Sequence, residues 1–312
     1  MVDYCALSAK CRAMRADMPV RADYERMSRC GSLTALTAEL ARFEKYSSRA
    51  ISARRSDIEY TLRRAYYAQY EKLALFAGGE AGAFLRELLR RYEVLFVVRA
   101  AWAVKSGRRE KYGSIPGYLL HHTRVDFSKL AREADFASFA SALSGTQYYA
   151  AAAACLLRDK ADVQAFESIC CNNYYSHLLG EEADKLDSDS AAAVRELLGR
   201  RIDIYNTSYA GRCARFDFRR EDGFIDSPFA PTPRAELLRM ARGEIKAPSL
   251  KQSCEKLYDE AYRTVSAGRA DMGVPAAQLI LSENELVNLT HITEGIRYGV
   301  EPDAVMEKII CR

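Results

Sequence analysis

The sequence predicts an all-α chain built from three related helical segments, and three observations carry that reading. Of 312 residues, 49% are apolar; Ala, Leu, Arg and Glu dominate, and only 17 residues are Gly and 8 Pro, an inventory that favours helices. No run alternates apolar and polar residues with a period of two, so no sheet is expected. One pattern recurs. Arg86-Glu-Leu-Leu-Arg-Arg-Tyr-Glu-Val-Leu-Phe96 is echoed by Arg195-Glu-Leu-Leu-Gly-Arg-Arg-Ile-Asp-Ile-Tyr-Asn206 once Gly199 is allowed as a one-residue insertion.

The echo extends upstream at a constant offset. Glu59 precedes Tyr66 by seven residues, and Glu167 precedes Tyr174 by the same seven. A fainter third copy places Glu255 before Tyr262, then Glu285-Leu-Val-Asn288 against Asp203-Ile-Tyr-Asn206. The acids Glu93, Asp203 and Glu285 correspond, and Phe96 stands where the other copies carry Asn206 and Asn288. Three copies of one unit mean a repeat architecture, with domains expected at 1–112, 113–219 and 220–312. Seven residues are about two helical turns, so each glutamate and tyrosine share a face roughly 10 Å apart and do not bond each other. The plain reading packs each tyrosine between helices with its hydroxyl satisfied, and pairs each acid with a nearby arginine or a helix start. Paired catalytic acids are disfavoured, because acid–base work needs two groups converging on one bond.

In order along the chain, residues 4–16 open as a helix that Pro19 closes. A second helix runs from about Arg21 into Cys30-Gly31, and a third starts near Ser32-Leu33-Thr34, with Phe43 and Tyr46 on its apolar stripe. A long helix follows from about Ser56 to Phe76 and stops at Gly78-Gly79; the next runs from Arg86 to Val104. Ser114-Ile-Pro-Gly117 reads as a linker. The order then begins again: short helices within Ser128–Ala140, a turn at Ser144-Gly145, a helix opening at Tyr148, and a long pair at about Ala161–Leu186 and Ser190–Cys213. A second break spans Phe216 to Pro228 with Pro231 and Pro233. After it come helices at Arg234–Arg242, Ser249–Ser266, Pro275 to about Arg297, and Pro302–Ile310.

Charge is uneven. Residues 1–112 carry 22 basic against 13 acidic side chains, the remainder 24 against 29. Solvated helix faces explain this, as does a docking surface for an acidic protein or lipid headgroups. The nine cysteines, at 5, 11, 30, 155, 170, 171, 213, 254 and 311, form no C-x-x-C pair, and with no secretory signal they are expected as reduced thiols of a cytosolic protein. Cys170-Cys171 point about 100° apart on a helix and are expected to be packing residues. His121-His122, His177 and His291 make no metal set with them. The most apolar runs, Val94–Val104 and Tyr148–Leu157, are about half the length a membrane span needs.

Neither phosphate cradle, G-x-x-x-x-G-K-[ST] or G-x-G-x-x-G, occurs, and H-E-x-x-H and G-x-S-x-G are also missing. No catalytic, cofactor or metal residue is therefore assigned, and the isolated protein is expected not to bind nucleotide. The bases in Arg63-Arg64-Ala-Tyr66-Tyr67 have no counterpart at Cys171-Asn-Asn-Tyr174-Tyr175, so the aromatics belong to the repeat and no nucleic-acid partner is expected.

The opening Tyr4–Met14, with Ala9-Lys10-Cys11-Arg12-Ala13-Met14, the stretch from Asp203 through Asn206 to Arg212, and the close from Glu285 to Gly299 together resemble one family, the central-stalk C/d family of V/A-type (vacuolar-type) ATPases and ATP synthases, which has bacterial, archaeal and eukaryotic branches. The resemblance covers nearly the whole chain. It implies three similar helical domains around a pseudo-threefold axis, forming a funnel. It implies a non-catalytic part of the central stalk, a socket coupling the central axle to the membrane proteolipid ring for H⁺ or Na⁺ transport. Its place would be cytoplasmic, peripheral at the inner face of the membrane, held there through protein. The competing reading is a free-standing helical-repeat scaffold that binds other proteins, although such solenoids usually show many short units of little variation. An enzyme would need a pocket lined by perturbed titratable groups.

Overall fold

A computed structural model describes residues 4–47, 51–108, 120, 123–156, 162–216 and 222–312. Among the described residues every regular element is a helix. The first group is α1 (Tyr4–Ala16), α2 (Arg21–Ser28), α3 (Leu33–Leu40), α4 (Glu44–Ser47), α5 (Arg55–Ala77) and α6 (Gly79–Lys105). The second is α7 (Phe127–Leu130), α8 (Phe136–Ala142), α9 (Tyr149–Leu156), α10 (Val163–Ser176) and α11 (Ser188–Phe216), with a π-helical turn at His177–Glu182 and a 3₁₀ turn at Ala183–Lys185 after α10. The third is α12 (Arg234–Ala241), α13 (Leu250–Ser266), α14 (Gly273–Tyr298) and α15 (Pro302–Met306).

The expected helix at Ala161–Leu186 is α-helical only to Ser176 and the second stops at Ser28; four other boundaries differ from the expected ones, each for a physical reason. The third helix breaks into α3 and α4, because Arg42 and Phe43 N–H donate to carbonyls only three residues back, Glu39 and Leu40, and leave the ladder that Ala41 N–H to Thr37 C=O still follows. Helix α6 begins at Gly79 and not at Arg86; Gly78, at φ 61°, separates α5 from α6 by a single residue and its carbonyl accepts from Gly82 N–H at 2.6 Å. Helix α14 begins two residues before Pro275, which a first helical turn tolerates because its N–H is not needed there. The last helix stops at Met306 instead of reaching Ile310, whose N–H and C=O are both taken by Asn288. The linker at Ser114–Gly117, the pair His121-His122 and residues 217–221 of the second break lie outside the described residues.

The chain divides into two compact units. Unit 1 holds Met1–Leu85, Ala192–Leu197 and Leu250–Arg312; unit 2 holds Arg86–Ala191 and Leu198–Ser249. Of the four boundaries, one falls inside α6, two inside α11 and one at the start of α13.

Unit 1 is organised around α14. Every residue from Gly273 to Ser282 is buried, so this half of the helix is covered on all sides, by α13, α5 and α1. Helix α13 covers it with a single stripe, Leu257, Ala261 and Val265, spaced by four. Gly273 has a steric role. A Cβ there would stand 2.8 Å from the Ala193 methyl and 2.8 Å from an Asp271 oxygen. Lower on α14, Leu289 and Ile292 join Met27, Leu36, Leu40 and Tyr46 from α2–α4 in one core. Each such aliphatic side chain stabilises the fold by about 1.5–3 kcal/mol on burial.

Unit 2 packs aromatic rings more heavily. Phe136, Phe139 and Phe166 meet at centroid distances of 5.3, 6.1 and 5.7 Å, two of the three contacts edge-on. Tyr209 and Phe224 meet edge-on at 5.0 Å inside a second cluster with Leu237 and Met240. No helix among the described residues is long and apolar enough to cross a membrane.

Candidate functional site

The repeated acids and asparagines sit on long helices, where they hold other segments of chain. Glu285 on α14 is 1% exposed. Its Oε1 accepts from the Tyr46 hydroxyl at 2.7 Å and its Oε2 from Lys45 Nζ at 2.8 Å. Burial, and after it the neighbouring Glu285 charge, push the Tyr46 hydroxyl well above the usual tyrosine range, so it stays protonated and donates. In unit 2, Glu93 on α6 is 4% exposed. Its Oε1 accepts from the Tyr148 hydroxyl at 2.8 Å and from Gln147 Nε2 at 3.3 Å. Burial and the Glu93 charge likewise raise Tyr148. Two corresponding acids thus receive a tyrosine hydroxyl plus the side chain just before that tyrosine. The third, Asp203 on α11, accepts the Thr232 backbone N–H at 2.9 Å.

The asparagines act on backbone. Asn206 Nδ2 donates to Ile225 C=O at 2.9 Å, and its Oδ1 accepts Ile225 N–H at 2.8 Å. Asn172 on α10 brackets the same spot, donating to Phe224 C=O at 3.1 Å and accepting Asp226 N–H at 2.7 Å. Asn288 repeats the two-way clamp on Ile310 at 2.8 and 3.1 Å, and Asn284 adds a donor to the same carbonyl at 2.7 Å. A backbone segment outside any helix has its polar groups satisfied in this way instead of by a ladder. Phe96 cannot clamp a backbone and instead packs edge-on against Phe127 at 6.0 Å.

Gly199, allowed above as an insertion, has a packing role: a Cβ there would lie 2.0 Å from the Phe229 carbonyl oxygen. Its absence lets the segment that Asp203 and Asn206 hold lie directly on α11. Gly295 serves the same purpose on α14, where a Cβ would meet Val305 at 2.4 Å.

The glutamates that open the repeat are placed less alike. Glu59 pairs with Arg55 at 2.9 Å and Glu255 with Lys251 at 3.5 Å, each one turn along its own helix. Glu167 instead accepts from Trp102 Nε1 at 2.9 Å and from the Tyr205 hydroxyl at 3.4 Å. The tyrosines also differ. Tyr66 and Tyr70 are buried edge-on with hydroxyls 3.3 Å apart, and Tyr174 donates to Leu88 C=O at 3.1 Å. Tyr262 lies under two cations, Arg15 at 4.8 Å and Arg312 at 4.6 Å. No glutamate meets the tyrosine seven residues on.

Sequence reasoning missed Lys45, Tyr46, Gln147, Tyr148 and Thr232 as partners of the acids, and Asn172 and Asn284 as clamps. Tyr46 was visible only as part of a helical stripe. Asn284 does carry a signal, since it stands one turn before Asn288.

Two hollows adjoin these groups. A cleft of about 670 Å³ in unit 1 is lined by Arg21, Glu25, Arg29, Lys251, Glu255 and Asp259, among others. In unit 2 a pocket of about 350 Å³ is lined by Arg90, Glu93, Arg124, Gln147 and Tyr148, among others. Among the described residues no three His, Cys, Asp or Glu side chains converge as a metal site. Cys170 and Cys171 are buried, and burial raises both thiols, Cys171 to about 12, which suits packing and not nucleophilic chemistry.

What the arrangement does chemically is fasten: acids and amides on rigid helices immobilise irregular segments that helix packing alone leaves unsatisfied. A family model described as ATP synthase (C/AC39) subunit matches residues 7–243. No curated protein matches the chain.

Proposed function

We propose that this chain, which belongs to the ATP synthase (C/AC39) subunit family, is the socket that joins the central axle of a rotary ATPase to its membrane proteolipid ring. The family is a non-catalytic rotor-stalk component of V/A-type ATPases, so its partners are other proteins of that complex. In the finer reading three repeats, at 1–112, 113–219 and 220–312, surround a pseudo-threefold axis as a funnel. One end stands on the cytoplasmic loops of the proteolipid ring, and the other grips the axle in the hollow where the repeats meet. The protein then turns with the rotor at the inner face of the membrane and passes torque between ATP turnover and H⁺ or Na⁺ movement.

The observation that carries this reading is the family match across residues 7–243. The side-chain clamps support it mechanically. A torque-bearing part needs stiffness, and Asn206 and Asn288 pin irregular chain to long helices with paired hydrogen bonds while Asp203 adds a single one. Fastening to lipid by charge contributes only about 1 kcal/mol per basic residue and is screened within about 8 Å, which suits orientation more than load. The test is recovery of the tagged protein from mildly solubilised membranes. Axle and proteolipid proteins should accompany it in fixed ratio; recovery free of both, with unrelated soluble proteins instead, overturns the socket.

A further inference from the structure

The three acids share a relation that the individual contacts do not reveal. Glu93, in the first proposed repeat, is held by Gln147 and Tyr148, which precede the long helices of the second. Asp203, in the second, is held by Thr232, which precedes the long helices of the third. Glu285, in the third, is held by Lys45 and Tyr46, which precede the long helices of the first. Each acid therefore fastens the short-helix segment of the following repeat, and the last fastens that of the first. The apolar cores follow the same rule. Tyr209 and Cys213 of α11 pack with Phe224, Leu237 and Met240. Leu289 and Ile292 of α14 pack with Tyr24, Met27, Leu36 and Leu40.

We infer that residues 4–47 are the closing element of the third repeat: they occupy on α14 the place that residues 123–156 occupy on α6 and residues 222–249 on α11, and so latch the two ends of the chain together. The inference rests on the three-repeat reading for its symmetry, but the latch itself rests on contacts within unit 1. Two features make it a latch and not ordinary packing. The joint is specified by an ion pair between the partly buried Lys45 and the buried Glu285 at 2.8 Å, beside a buried hydroxyl–carboxylate bond. It also spans nearly the whole sequence, so closing it removes more chain freedom than any local contact does. Residues 51–54 lead into α5, with Ser52 and Arg54 exposed.

The test uses the full chain with a specific protease site inserted after Ser52, cut in the folded state. On gel filtration the 1–52 segment should remain with the rest of the protein. In the same cut chain carrying Lys45→Ala and Tyr46→Phe, Glu285 is left buried without its donors, and the segment should leave on the order of a hundredfold faster. Free elution of the segment from the cut, otherwise unaltered chain overturns the latch, and so does equal retention in the double variant. A control cut chain with Gln147→Ala and Tyr148→Phe, altered only in unit 2, should keep the segment; its release from this control too would mean general loosening, which also overturns the proposal. The readout involves no other protein of the complex, so its failure is distinct from failure of the socket reading.

Discussion

Glu285 in unit 1 and Glu93 in unit 2 are held by the same geometry and different chemistry. Each is buried on a long helix and accepts a tyrosine hydroxyl, at 2.7 and 2.8 Å. The residue before that tyrosine is Lys45 in one case and Gln147 in the other, so one carboxylate is neutralised by a cation and the other only solvated by an amide. The shared tyrosine sets where the next segment docks. The residue before it sets how much is lost when the joint is broken.

The largest expected effect comes from removing the cation. Lys45→Ala leaves a buried carboxylate with one hydroxyl, and unit 1 should lose about 3 kcal/mol; Gln147→Ala, which removes one longer neutral bond, should lose about 1 kcal/mol from unit 2. Lys45→Gln copies the unit 2 arrangement and should fall between. The single tryptophan, Trp102, lies in unit 2, so its fluorescence in a urea titration reads that unit while circular dichroism reads the whole chain. Equal losses in the two units would break the comparison.

The asparagine clamps come next. Asn206→Ala strips the buried Ile225 N–H and C=O of their side-chain partner and should cost about 2 kcal/mol, and Asn288→Ala removes the same two bonds from the partly buried Ile310. Because Asn284 also donates to Ile310 C=O, the loss at Asn288 should be the smaller, as the same urea titrations would reveal. Gly199→Ala, whose Cβ meets the Phe229 carbonyl, should cost about 1–3 kcal/mol, whereas Gly31→Ala, with nothing within 4 Å, should stay within about 0.5.

The alkaline limb is gentler. Tyr46 and Tyr148 hold their protons above the usual tyrosine value of about 10, so their contribution is complete below roughly pH 10 and fades as pH rises through the folded values. The melting temperature should therefore begin to fall near pH 10, and less steeply in a Tyr46→Phe, Tyr148→Phe chain; parallel slopes would separate the hydroxyls from this effect. The smallest change belongs to Glu255→Gln. Its pair with Lys251 is nearly half exposed on both sides, and the shift should be within about 0.5 kcal/mol.

These contrasts also explain what was legible in the sequence. Helical class and the long helices followed from composition and periodicity, because burial on one face leaves a local trace. Glu93, Asp203 and Glu285, with Asn206 and Asn288, stood out because the sequence repeats them in one pattern. Their partners did not, since Tyr46 and Glu285 are 239 residues apart and neither neighbourhood encodes the other. The end of α15 was misplaced for the same reason. A helix through Ile310 satisfies local propensity, and a side chain from α14 overrides it. Gly199 looked like an insertion because the carbonyl it accommodates lies 30 residues on.

The central claim, that the protein is held at the membrane through the rotor and not through lipid, is tested most directly by washing two kinds of vesicle at rising salt: bare anionic liposomes, and membranes containing the proteolipid ring. The account predicts that the protein leaves the liposomes readily and stays on the ring-bearing membranes. Tight, salt-resistant retention on the bare liposomes would contradict it.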